Sequence, residues 1–239
     1  MKRFLATTAL LMLPIAATAD GMDEDRIKEL VLEAIRENPG IVFEAAQLFE
    51  QQQQALQAQA AAQVLDTEKA TLENDPNAPV LGNPDGDVTV VEFFDYNCPY
   101  CRRVKPEMEA LLAADPNVRV VYREWPILGD GSVFAARAAL ASRNQGKYEE
   151  FHWAMMQLKE RAEEASILRT AEDIGLDVAQ LRSDMNGPEI EEHIQTSMRL
   201  AQSLGFSGTP SFVIGDSLAP GLIQADQMIE LVDQARAAE

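Results

Sequence analysis

Val88-Thr89-Val90-Val91-Glu92-Phe93-Phe94-Asp95-Tyr96-Asn97-Cys98-Pro99-Tyr100-Cys101 carries both cysteines of the 239-residue chain at the end of one apolar run. Val88 to Phe94 is almost continuously apolar, the pattern of a strand buried on both faces. A disulfide stabilises most when it closes a long loop, so a loop of two intervening residues is a poor staple. Cys-x-x-Cys between a strand and a helix reads instead as a thiol–disulfide redox pair.

The flanking sequence extends this reading. Residues Cys101 to Ala114 have helical spacing, with Val104, Met108, Leu111 and Leu112 on one side, and Asp115-Pro116-Asn117 ends the run. Val118 to Glu124 is the next strand, which makes a βαβ unit. From 132 to 205 the pattern is helical, with breaks at Gly146, Gly175 and Asn186-Gly187-Pro188. A short strand at Ser211–Ile214, a turn at Gly215-Asp216 and a returning strand from Ser217 to Ile223 follow. Pro220 confines the returning strand to a sheet edge. Ala225 to Ala238 is a terminal amphipathic helix. The expected class is α/β, a small mixed sheet with a helical block inserted at about 132–205.

Upstream, Lys2, Arg3, the apolar stretch Phe4–Ile15 and Ala17-Thr18-Ala19 read as a secretory signal over 1–19, cleaved after Ala19. The apolar run is shorter than the ~20 residues of a bilayer span. Export to a periplasm-like space suits disulfide chemistry. Residues 20–72 form a separate helical region. Ile27, Leu30, Val31, Ala34 and Ile35 share one helical face, Asn38-Pro39-Gly40 breaks it, and a second helix from Ile41 offers Val42, Ala45, Leu48 and Phe49. Two such helices cannot hide their apolar faces on each other, so the region is expected to mediate homo-oligomerisation. Residues 73–86 are turn-rich and read as a linker, leaving 87–239 as the main domain.

Acidic residues outnumber basic ones 39 to 20, a formal net charge of -19 that becomes -21 without Lys2 and Arg3. Such a chain offers no electrostatic footprint for nucleic acid or anionic lipid. Zinc needs four ligands, and only His152 and His193 accompany the two cysteines, at no metal-ligand spacing. No metal site and no cofactor is expected. The reduced pair could hold Cu(I) as a side activity. The helix N-terminus beside Cys98 favours a thiolate there, making Cys98 the attacking group and Cys101 the resolving one.

Val91-Glu92-Phe93-Phe94 with Cys98-Pro99-Tyr100-Cys101, and later Gly208-Thr209-Pro210-Ser211-Phe212, resembles the DsbA-type branch of the thioredoxin-like thiol–disulfide oxidoreductases over roughly Leu81 to Ala238. The resemblance implies a thioredoxin-like fold with an inserted α-helical domain. It implies a cis-proline at Pro210 facing the redox pair, with the Thr209 backbone pairing with an extended substrate. It also implies a carboxylate beneath the site at Glu92, a candidate proton relay; the competing reading is a strand residue paired with Arg123. Ile27 to Glu50, with Arg36-Glu37-Asn38-Pro39, is similar to the N-terminal region of the suppressor of copper sensitivity protein C subgroup. That likeness implies an oligomeric disulfide isomerase or reductase acting on cysteines of exported proteins. Its membrane redox partner would be a DsbD-like reductant, or a DsbB-like oxidant if the chain is a monomeric disulfide oxidase. A non-enzymatic chaperone or binding module is the remaining alternative.

Overall fold

The computed structural model describes residues 23–238; the expected signal segment lies outside them. The described residues fall into two compact units that divide between Gln54 and Ala55.

The first unit contains α1 (Glu24–Glu37) and the start of α2 (Gly40–Asn74). Glu24 and Asp25 occupy the first turn of α1 and Arg36 the last, each complementing the helix dipole. Asn38 ends α1, its N–H donating to Ala34 O, as the Asn-Pro-Gly break requires. Ile27, Leu30, Val31, Val42, Leu48 and Phe49 are exposed, Phe49 by 61%.

The second unit is built on a five-stranded sheet of order β1-β3-β2-β4-β5, with β1 (Val80–Gly82), β2 (Val88–Phe94), β3 (Val118–Glu124), β4 (Ser211–Ile214) and β5 (Ser217–Pro220). Central β2 runs parallel to β3 and antiparallel to β4. The crossover between β2 and β3 is α3 (Pro99–Ala114). Gly215 takes φ +55 in the β4–β5 turn, a backbone state that favours glycine. Pro220 ends β5 at the sheet edge, where a missing donor costs nothing.

Alternation along β2 divides its side chains between two cores. Val90 and Phe94 join Val104, Met108 and Leu111 of α3 and Met228 and Val232 of α9 (Ala225–Ala238). Val91 and Phe93 face the other way, onto Leu65 and Leu72 of α2 and Leu200 and Leu204. The insertion comprises α4 (Asp130–Ala141), a 3-10 turn at Ser142–Gln145, α5 (Tyr148–Met156), α6 (Glu164–Asp173), α7 (Val178–Asp184) and α8 (Pro188–Ser203). Phe151, Met155, Ile167 and Leu181 form its interior and continue the first core.

Two stretches differ from the sequence reading. The end of α2 is part of the sheet-bearing unit rather than of the N-terminal region that sequence carries to residue 72: Ala61, Leu65 and Leu72 are buried. Arg123 ties that end down, its Nη1 donating to Asp75 Oδ2 at 2.6 Å and its Nη2 to the carbonyls of Thr71 and Leu72. Those carbonyls have no partner within the helix, so the guanidinium serves as the cap. Within the expected linker, residues 80–82 add β1 to the sheet edge, with Val80 opposite Val121.

Candidate active site

Cys98 is the N-cap of α3, with extended backbone, and Pro99 holds the first helical position. The turn that delivers it closes through Cys98 N–H to Asp95 O at 3.0 Å. The Asp95 carboxylate is buried and fully used: Oδ1 accepts from Asn97 N, and Oδ2 from Ile127 N at 2.8 Å and Leu128 N at 3.0 Å. Asn97 binds the insertion, its Nδ2 donating to Ser132 Oγ and Ala162 O and its Oδ1 accepting from Ala162 N. The redox turn is therefore held from both the β3–α4 loop and the α5–α6 loop. Sequence reasoning missed Asp95 and Asn97. Two short polar side chains beside a Cys-x-x-Cys, in the pattern of an Asx turn, were the available signal.

The two thiols are unlike. The Cys98 thiol falls to about 5, because Cys101 hydrogen-bonds to it; Thr209 and the N–H groups of Cys101 and Tyr100 assist, against the opposing effect of burial. The Cys101 thiol, only 1% exposed, is pushed well above its ordinary value by burial, then by Cys98 and Glu92. A thiolate on Cys98 is thus matched to a protonated Cys101, the asymmetry an attacking and a resolving group need.

Across the site, Cys98 Sγ lies 3.2 Å from Thr209 O. The Thr209–Pro210 peptide is cis, in line with the sequence resemblance. Glu92 lies on the same face of β2 as Phe94 and is almost fully buried. Burial, and then the Cys98 charge, raise its carboxyl to about 8. The competing partner is occupied elsewhere: Arg123 pairs with Asp75, and its neighbour across the sheet is Phe93, so it faces the side opposite Glu92.

Neither histidine joins the thiols. His152 is buried among Phe94, Tyr122 and Tyr148, with Nδ1 3.0 Å from Tyr96 Oη. Burial, and then Lys105, lower it to about 3, so it is neutral at physiological pH. His193 Nε2 lies 2.6 Å from Glu124 Oε2, and Tyr148 Oη donates to Glu124 Oε1. Among the described residues no three His, Cys, Asp or Glu side chains gather into a metal-binding group, and no helix is long and apolar enough to cross a membrane.

The redox turn, the cis-proline and the inserted helices point to one family. The DSBA-like thioredoxin domain matches residues 89–233. The chain belongs to that family. The solved structure of a thioredoxin-like oxidoreductase from Silicibacter pomeroyi DSS-3 is 63% identical, with TM-score 0.71, covering 72% of this chain and 99% of that one. Proteus mirabilis ScsC, in a transitional conformation, is 30% identical with TM-score 0.67, covering 93% of this chain and 99% of that one. Among curated proteins, Na(+)/H(+) antiporter NhaA 3 of Salinispora tropica is 32% identical over 137 residues, 56% of this chain but 21% of that protein. The chain thus spans about a fifth of that relative's length, and the likeness is confined to a stretch of domain size. Membership gives the chain a DsbA-like thioredoxin domain, the fold of the DsbA-type thiol–disulfide oxidoreductases.

Proposed function

We propose that the chain exchanges disulfides with cysteines of exported proteins in the periplasm, after removal of residues 1–19, through Cys98 and Cys101. The observation that carries this reading is the paired asymmetry of the two thiols, Cys98 low and at a helix N-cap, Cys101 high and buried one turn further in.

In the reducing direction the Cys98 thiolate attacks one sulfur of a substrate disulfide. A mixed disulfide forms and one substrate thiolate leaves. In the mixed disulfide the Cys98 charge that helps hold Glu92 protonated is gone, so the ionised fraction of Glu92 can take the proton of the Cys101 thiol, which then attacks Cys98 Sγ. The Cys98–Cys101 disulfide forms, the second substrate thiolate leaves, and two electrons have passed to the substrate. Run backwards, the same steps oxidise a substrate dithiol. In isomerisation another thiol of the substrate resolves the mixed disulfide, and no net electrons move. Thr209 and Pro210 line the substrate side, where the Thr209 backbone pairs with an extended peptide.

The exposed apolar side chains of α1 and early α2 support self-association of the N-terminal unit. Several redox sites joined in this way suit an isomerase or reductase kept reduced by a DsbD-like membrane partner. A monomer would instead suit an oxidase recharged by a DsbB-like partner. The overall acidity supports no role with nucleic acid.

The test uses a substrate with scrambled disulfides. The protein with reduced thiols should speed recovery of the native pairing, and a Cys98→Ser variant should not. Equal recovery with both proteins would leave a binding module, not an oxidoreductase acting through Cys98.

A further inference from the structure

Arg102 stands one helical turn beyond Cys98, its N–H donating to the Cys98 carbonyl at 3.2 Å. Long helical side chains lean toward the helix N-terminus, and this one is fixed there. Its Nε donates to Tyr96 O at 3.0 Å and its Nη1 to Leu158 O at 2.9 Å, while Nη2 is buried without a hydrogen-bond partner. Leu158 belongs to the α5–α6 loop, which also supplies Ala162 to Asn97. A cation at this end of a helix opposes the dipole, and partial burial adds to its cost. Burial is the main influence lowering the Arg102 pKa, and Arg161 repels it further. The groups that favour its charge are Asp95 and, to a smaller extent, the Cys98 thiolate. From β2, Glu92 is uncharged below about 8 and does not offset the guanidinium at neutral pH. Two backbone clamps thus hold an unfavourably placed cation beside the redox turn.

We propose that Arg102 is a positioning residue for the thiol chemistry: clamped between Tyr96 and the insertion, its guanidinium favours Cys98 as thiolate and so makes the Cys98–Cys101 disulfide more oxidising. This rests on Cys98 being the attacking thiol. Reduction of the Cys98–Cys101 disulfide takes two electrons from a substrate dithiol and leaves the Cys98 thiolate. Whatever stabilises that thiolate therefore stabilises the reduced protein and raises the potential of the pair.

The experiment compares the full chain with its Arg102→Met, Arg102→Gln and Arg102→Lys variants. Thiolate formation is followed against pH by ultraviolet absorbance, with alkylation mapped by mass spectrometry, and the pair is equilibrated with glutathione. The two neutral variants should titrate higher than the parent, since an opposite charge nearby favours the ionised form. Their equilibrium with glutathione should move toward the oxidised protein by the same factor as the shift, about tenfold or about 30 mV for each full pH unit. The lysine variant, which keeps the charge, should stay close to the parent. Glutamine retains a donor for Tyr96 O and gives the same readout should the methionine variant not fold. Neutral variants that titrate with the parent, or a lysine variant that moves as far as methionine, would overturn the proposal, whatever their melting temperatures. Alkylation of Cys101 in preference to Cys98 in the parent would remove the premise and the proposal together.

Discussion

Replacing Glu92 by glutamine should stabilise the reduced protein at neutral pH and leave it unchanged in acid. Burial, and then the Cys98 charge, hold the Glu92 carboxyl at about 8 against an ordinary 4.5. Between those values the folded protein keeps a proton that the unfolded chain has released. The unfolded chain binds fewer protons there, so stability falls as pH rises from about 4.5 toward 8. At pH 7 the difference costs the fold up to about 3 kcal/mol. Glutamine has nearly the same shape and no proton to lose. Its substitution should recover about 2–3 kcal/mol at pH 7, a rise of roughly 5–10 °C in melting temperature for a unit of this size. At pH 4 both states of the parent are protonated, and the gain should vanish. In the oxidised protein the Cys98 charge is gone, so the gain should be smaller. Thermal unfolding of parent and Glu92→Gln at pH 4, 6 and 8, with and without reductant, measures this. A gain at pH 4 equal to that at pH 8, or no gain at pH 8, would refute the account of Glu92 as a buried neutral acid.

Three further outcomes follow from the same geometry. Alkylation of the reduced protein near pH 6 should label Cys98 and spare Cys101, since about 5 lies below that pH and Cys101 is buried and raised; mass spectrometry reads the site. Leu72→Ala should destabilise the second unit by about 2–5 kcal/mol, measured by urea unfolding, because Leu72 is 1% exposed in the core beneath Val91 and Phe93. A chain starting near residue 55 should remain folded and be monomeric by light scattering, while the chain starting at Asp20 should be oligomeric; a monomer in both cases would end the self-association reading.

Much of the fold that carries the candidate site was legible in the sequence for local reasons. β2 announces itself because burial on both faces favours a near-continuous apolar run, and Val118–Glu124 is buried in the same pattern although it carries Arg119, Arg123 and Glu124. The breaks in the insertion fall at Gly146, Gly175 and Gly187-Pro188, where backbone chemistry leaves few options. The end of α2 was not legible. Leu65 and Leu72 sit in an Ala- and Gln-rich stretch whose weak amphipathicity hides the buried face, and its cap, Arg123, comes from a strand about fifty residues away. Residues 80–82 form too short a strand to show a period. Buried polar pairs such as Asn97 with Ala162, or His193 with Glu124, join positions far apart in sequence and leave no periodic trace. For the same reason Arg123 looked like a partner for Glu92, when the pleat places the two on opposite faces.

The central claim is that Cys98 attacks a substrate disulfide and Cys101 resolves the product. A Cys101→Ser variant tests it directly, since it can form the mixed disulfide but cannot release it. Mixed with a disulfide-bonded substrate protein at pH 7 and quenched in acid, it should accumulate a covalent adduct. Mass spectrometry of the digested adduct should show the substrate cysteine joined to Cys98. An adduct of equal yield with a Cys98→Ser variant that retains Cys101, or no adduct with Cys101→Ser, would contradict the account.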